Sequence, residues 1–277
     1  MLRSINVFGL FDFPVITIFL FLAVFFGAFA FWRKLRNEGA YDEMETFDGF
    51  LLSLLFGFAV GRLVFILTHF DNFGLNLLAW VNIISHPGLN LLAAIAGSGF
   101  FLFRFVKKRK EDAFAVIDFW AIATSLGLAF YEIGQFFEGS NVGNLTNMPW
   151  GMTFPGMLLP AHPAAIYSAI FFFILFFYLN WAEFHYRTFD WYRRGRSSAQ
   201  AGFITGFFLM ANGIFMLFAL LWRPANFAIE GITIDGFLYI ILAVIGFGFI
   251  YLRSGRKLFK RSGSKNVVAD AANKKAK

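Results

Sequence analysis

In this 277-residue chain, 58% of the side chains are hydrophobic and 43 are Phe, well beyond the apolar share of a soluble domain. The net charge of +7 therefore belongs to loops lying against anionic headgroups, and not to a nucleic-acid surface. No cysteine is present, which excludes a disulfide, a thiolate nucleophile and any Cys-based metal site.

Seven apolar runs occupy residues 13–32, 48–70, 89–106, 114–131, 164–181, 202–222 and 236–252. Each is close to the ~20 residues that cross a ~30 Å hydrocarbon core, which predicts an all-α membrane protein with seven transmembrane helices. Apart from Arg3, Arg62, Arg104 and Arg223, all Lys and Arg gather in four clusters. These are Arg33-Lys34-Arg36, the stretch Lys107 to Lys110, Arg187 with Arg193, Arg194 and Arg196, and the stretch from Arg253 to Lys277. They follow the first, third, fifth and seventh runs. Positive charge marks the cytoplasmic side, so the amino end is expected outside and the carboxyl end in the cytoplasm. Residues 1–261 are expected to form one membrane domain, and 262–277 a disordered basic cytoplasmic tail.

The first run ends near Ala28-Phe29-Ala30, as a signal peptide does, but only Arg3 precedes it while Arg33, Lys34 and Arg36 follow. A signal peptide has the opposite charge order, so this run is expected to remain as the first span. The second run contains Arg62. Residues 71–88 are too polar and interrupted to span, yet Leu75, Leu78, Trp80, Val81 and Ile84 suit the outer interface. In the fourth run Asp118, Ser125 and Glu132 recur every seven residues, which puts them on one stripe with a drift of ~20° per heptad. Residues 132–163, rich in Gly, Asn and Pro, form the longest outer segment, and loops of that length in a compact bundle usually carry function. Asn212 interrupts the sixth run, and Arg223 ends it at the outer surface.

Polar groups are costly in hydrocarbon and are either paired or functional there. Arg62, Glu132 and Arg223 are expected at similar depth, as a structural ion pair or as a cationic pocket for a lipid phosphate. Arg suits the second role because its fork grips phosphate oxygens through two donors. The four His, at 69, 86, 162 and 185, do not cluster at metal-ligand spacing. No phosphate loop, dinucleotide fingerprint or nucleophile elbow occurs, so neither metal nor cofactor is expected.

Residues 126–163 read LGLAFYEIGQFFEGSNVG, then MPWGMTF, then a spacer and His162-Pro163, with Tyr167 four residues on. That order resembles the bacterial prolipoprotein diacylglyceryl transferases, whose signature runs glycine-arginine-isoleucine-glycine-asparagine, asparagine-glycine-glutamate, proline-tryptophan-glycine and HPxxxYE. Gly61-Arg62-Leu63 and Asp118 match two further family elements, and the resemblance covers most of residues 10–252. It implies transfer of a diacylglyceryl group from phosphatidylglycerol to the lipobox cysteine thiol of a prolipoprotein, at the bacterial inner membrane. The partners it implies are phosphatidylglycerol, the prolipoprotein signal peptide and membrane lipids. A thiolate that displaces a phosphate ester at carbon needs a base for the thiol and a cation for the departing phosphate. On that basis His162 and Glu132 are the expected catalytic residues, and Arg62, Arg223, Gln135, Gly143 and Tyr167 the expected holders of the lipid phosphate.

The chain departs from the family pattern in its charges. Glu132 stands where the family has arginine, Gln135 and Glu138 where it has asparagines, and Ser140 where it has glutamate. The family histidine of the third span aligns with Leu92, and an arginine and a glutamate of the sixth with Met216 and Leu220. His162 beside Pro163 also fits a capping or packing role. The alternative to an enzyme is an inactive protein that binds lipid or signal peptide on the same scaffold.

Overall fold

The computed structural model describes residues 4–7, 11–82, 86, 88–188, 200–224, 228–229 and 232–254. Among them a short antiparallel ribbon, β1 (Ser4–Val7) with β2 (Phe11–Pro14), leads into α1 (Val15–Glu38). Next come α2 (Glu43–Thr68), the short helices α3 (Phe70–Phe73) and α4 (Leu77–Val81), and α5 (Leu91–Lys108). Then follow α6 (Ala113–Glu138) and α7 (Ala164–Glu183), the latter continued by a π-helical turn Phe184–Thr188. The chain closes with α8 (Phe203–Ala219), the ribbon β3 (Ala228–Ile229) with β4 (Ile232–Thr233), and α9 (Ile234–Arg253). The expected tail over 262–277, Ile84 and Arg193, Arg194 and Arg196 lie outside the described residues.

All seven apolar runs form helices, with the two ribbons as small additions to the all-helical expectation. By length and composition α1, α2, α6, α7 and α9 are able to cross a membrane. Helix α8 is apolar but has 17 residues, and α5 carries Arg104, Lys107 and Lys108 within its 18. The ends of the helices follow local chemistry. Asp42 accepts from the Glu45 N–H at 3.1 Å, Asn90 from Ala93 at 2.9 Å, and Asp112 from Phe114 at 3.1 Å and Ala115 at 3.3 Å, each satisfying an orphan donor of a first turn.

Helix α6 is the hub. Of its most apolar window 72% is buried, against 11–39% for the other four long apolar helices. Its buried face carries Val116, Phe119, Trp120, Ile122 and Leu128 into the main core, where Phe31, Leu102, Phe172 and Phe208 meet it. Glycines let backbones approach where lipid supplies no hydrophobic drive between helices. A Cβ on Gly127 would meet the Ala23 carbonyl at 3.1 Å, and one on Gly57 the Ala94 carbonyl at 2.5 Å, so α1 lies on α6 and α2 on α5. Helices α8 and α9 form a third close pair, in which a Cβ on Gly213 would meet Ala243 N at 2.5 Å.

One expectation is corrected. The fourth run does not stop at 131: α6 continues to Glu138, where Gly139 at φ 78° caps it through bonds to the carbonyls of Gln135 and Phe136. Glu132 and Gln135 are therefore helical residues pointing from a rigid frame, not members of a loop. Asp118, Ser125 and Glu132 all lie buried on α6, but Asp118 has a structural partner. Its carboxylate accepts from Gly202 N–H at 2.8 Å, Thr205 N–H at 2.8 Å and Thr205 Oγ1–H at 2.6 Å, capping α8 from a neighbouring helix. Ser125 donates to the Ala121 carbonyl of its own helix at 2.9 Å.

Candidate functional site

A cavity of about 890 Å³ lies between α5, α6, α8 and α9, within the size range of small-molecule sites. Toward the amino ends of α6 and α8 it is apolar, lined by Phe103, Phe114, Ile117, Trp120, Phe208 and Phe249. Toward the carboxyl end of α6 it is lined by Tyr131, Glu132, Gln135, Asn141, Arg223 and Tyr239. Asn212 and Asp235 border the same end. The long apolar body with one polar end matches a molecule that has a charged head and hydrocarbon chains.

The polar end is built by the exit of α6. After the Gly139 cap the chain doubles back through Asn141, which adopts φ 54°, a left-handed conformation that Asn tolerates better than most side chains. This brings Asn141 Nδ2 to donate to Glu132 Oε2 at 2.6 Å. Gln135 Nε2 donates to the Tyr131 hydroxyl at 2.8 Å, and Ser140 Oγ donates to Gln135 Oε1 and to Glu138 Oε2. Glu132 is 3% exposed, so its carboxylate is held among protein groups instead of bulk water. Arg223 acts electrostatically on Glu132, Tyr131 and Tyr239, and forms no ion pair with a carboxylate among the described residues. Its charge is left available to the cavity. Asn141 Oδ1 is buried without a hydrogen-bond partner among the described residues, an acceptor that lacks a donor in this cavity wall.

Three other expected site residues form a separate cluster that does not line the cavity. The His162 ring meets the Tyr167 hydroxyl at 3.2 Å, and Tyr167 packs edge-on against Trp222 with centroids 5.6 Å apart. Gly143 N–H donates to the His162 carbonyl at 2.9 Å, and Asn144 N–H to the Trp222 carbonyl at 2.6 Å. A Cβ on Gly143 would collide with the Trp222 carbonyl and stand 2.8 Å from His162 Cβ. Asn144, Tyr167 and Gly143 touch Trp222, the residue directly before Arg223, and His162 packs behind them through Tyr167 and Gly143, so the cluster supports the chain that carries that guanidinium.

Arg62 sits elsewhere again. Its Nε donates to the Trp80 carbonyl at 3.0 Å, Nη1 to Gly88 at 2.9 Å and Nη2 to Ala79 at 3.2 Å. Phe73 and Phe65 lie under the guanidinium at 5.1 and 5.9 Å. With 6% exposure and three donors committed to carbonyls, Arg62 staples Ala79, Trp80 and Gly88 to α2. Leu89, Asn90 and Leu91 line the cavity immediately after Gly88, which is how Arg62 reaches the site indirectly. The structure thus brings Glu132, Gln135 and Arg223 together and leaves Arg62, Gly143, His162 and Tyr167 outside the cavity.

Sequence reasoning passed over Asn141, Tyr131, Tyr239 and His69. His69 lines the cavity, and its Nδ1 lies 3.0 Å from the Phe65 carbonyl and 3.1 Å from the Thr68 hydroxyl. Nothing local in the sequence marks the convergence of α6 and α9 residues on one cavity. Only Asn141, in a Gly-flanked polar stretch, offered a hint.

The family model described as prolipoprotein diacylglyceryl transferase matches residues 5–252. Three relatives bear the name phosphatidylglycerol–prolipoprotein diacylglyceryl transferase. The chain is 26% identical to that of Ehrlichia canis (strain Jake) over 247 residues, 83% of this chain and 89% of the relative. It is 30% identical to that of Shewanella sp. (strain ANA-3) over 186 residues, 65% of this chain and 63% of the relative. It is also 30% identical to that of Vibrio vulnificus (strain CMCP6) over 200 residues, 68% and 67%.

Proposed function

The chain belongs to the prolipoprotein diacylglyceryl transferase family, and we propose that it moves a diacylglyceryl group from phosphatidylglycerol to the lipobox cysteine of a prolipoprotein signal peptide. The observation that carries this is the cavity itself: an apolar length for acyl chains that ends at Glu132 and at Arg223, which has no ion-pair partner among the described residues. We place the protein in the bacterial inner membrane with seven spans, the amino end outside and the polar end of the cavity toward the outer leaflet. The positive clusters after alternate helices support that orientation.

The chemistry is a displacement at carbon. The thiol sulfur bonds to the glyceryl carbon of the lipid, the carbon–oxygen bond to phosphate breaks, and its electron pair stays on the phosphate oxygen. The products are a thioether and glycerol phosphate, whose phosphate gains one negative charge. Arg223 is placed to neutralise that charge, a service worth 10²–10³ in rate for a preorganised donor in a water-poor site. The thiol proton goes to the Glu132 carboxylate, whose second oxygen is steadied by Asn141, and passes on to the phosphate or to water. Gln135 orients Tyr131 at the head of the site, and Asn141 Oδ1 accepts a hydroxyl of the glycerol headgroup. His162, Tyr167 and Gly143 act by holding Arg223, and Arg62 by holding the outer wall.

Where the family has arginine, this chain has Glu132, and Met216 stands at the sixth-span arginine, so Arg223 is the cation this reading assigns to the phosphate. Expression in cells depleted of their own transferase tests the proposal. Lipidation of a reporter lipoprotein should return with this chain and be lost with Arg223→Ala. Absence of rescue by protein shown to be inserted and abundant, with the reporter's signal peptide taken from the same source as the chain, would overturn it.

A further inference from the structure

A second cavity, of about 460 Å³, opens on α5, shares no lining residue with the first and is lined by Phe101, Arg104, Phe105, Lys107 and Lys108. Phe101, Arg104, Phe105 and Lys108 are spaced i, i+3, i+4 and i+7, one face of a helix. The opposite face buries Leu102 and Val106 completely. Rings continue the patch across to α2, since Phe56 stacks on Phe101 at 5.0 Å and Phe101 on Phe105 at 6.2 Å. Gly49 makes room for Phe105, because a Cβ there would stand 2.5 Å from the ring.

Three cations meet at the end of this aromatic ledge. No described carboxylate lies within ion-pair distance of Arg104, Lys107 or Lys108, whereas the neighbouring Arg109 is paired with Glu45 and Glu111. Lys107 rests over Phe103 at 5.7 Å, a contact that leaves its ammonium charge uncompensated. Among the described residues the ion pairs engage Arg109 and Lys34 and leave these three cations out. Arg104 also breaks the apolar run of α5 one turn before its end, where a charge is costly unless something neutralises it.

We propose that this cavity is an accessory site for an anionic phospholipid of the leaflet opposite the reaction site, with the headgroup phosphate on Arg104, Lys107 and Lys108 and an acyl chain along Phe101, Phe105 and Phe56. The apolar ledge selects a lipid over a free phosphate, which would meet only the cations. Helix α5 also contributes Leu92, Ile95, Phe100 and Phe103 to the reaction cavity, so a lipid bound here steadies one wall of that cavity.

The test uses the full-length protein in nanodiscs of phosphatidylcholine containing a trace of cardiolipin, which is not the diacylglyceryl donor, with retained lipid read by native mass spectrometry. Wild-type protein should retain cardiolipin. Arg104→Gln with Lys107→Gln and Lys108→Gln should lose it, at about fivefold in affinity per cation removed. Arg104→Lys with Lys107→Arg and Lys108→Arg should keep it, as should Arg223→Ala, whose loss of transfer would leave this site intact. Phe101→Ala with Phe105→Ala keeps every charge and should lose cardiolipin while inorganic phosphate fails to compete for it. Wild-type protein that retains no cardiolipin, equal retention by the triple Gln variant, or displacement by inorganic phosphate alone would each overturn the proposal. If the triple Gln variant fails to insert, the single Arg104→Gln and the Phe pair decide the matter in the same way.

Discussion

Arg223 and Arg62 look alike in the sequence, since each is a lone cation at the outer end of an apolar run. Their surroundings separate them. Arg62 has spent its donors on three backbone carbonyls, while Arg223 faces the cavity without an ion-pair partner among the described residues. Arg223→Ala should therefore lower transfer by 10²–10³ with little change in thermal stability. Arg223→Lys should recover part of it, because a point charge replaces a fork. Glu132→Gln should slow the step at the thiol, and the loss should be smaller for a peptide thiol that ionises more readily. Steady-state assays of the purified variants read each of these. The single histidine in a family motif, His162, meets Tyr167 outside the cavity, and the histidine that lines the cavity is His69, which no motif marked. For that reason His162→Gln should reduce activity and stability together, through the mount of Arg223. Gly143→Ala should do so more strongly, with a cost of about 1–3 kcal/mol for overpacking, seen as a lower unfolding temperature in detergent.

Helix α6 shows what a hydropathy pattern reads well and what it misses. Its existence and its buried character were legible from the run 114–131. Its last two turns were not, because Glu132, Gln135 and Glu138 dilute hydrophobicity over residues that tertiary packing keeps helical. Gly139 was the true stop signal, as a left-handed cap usually is. The role of Asp118 was equally hidden, since a carboxylate that caps a helix 84 residues away in sequence leaves no local trace. Asp118→Ala orphans three buried donors, and at about 1–3 kcal/mol for such a loss α8 should fray before the rest of the bundle. Hydrogen exchange localised to residues 202–206 measures this. Arg62→Ala should in turn raise exchange across 74–82 and weaken lipid binding more than turnover.

For the whole molecule, the apolar runs were enough to locate the helices, but the location of the site required three dimensions. Glu132 on α6, Arg223 beyond α8 and Tyr239 on α9 converge only because α6 lies at the centre. The absence of cysteine makes orientation directly measurable: in intact cells Asn147→Cys should react with an impermeant maleimide, and Asn37→Cys should react only after permeabilisation. The central proposal is transfer itself. Purified protein in phosphatidylglycerol vesicles should convert a synthetic lipobox peptide to a product heavier by one diacylglyceryl group, with release of one glycerol phosphate per peptide, and Arg223→Ala should not. Folded wild-type protein that binds phosphatidylglycerol and leaves the peptide thiol unmodified would contradict it.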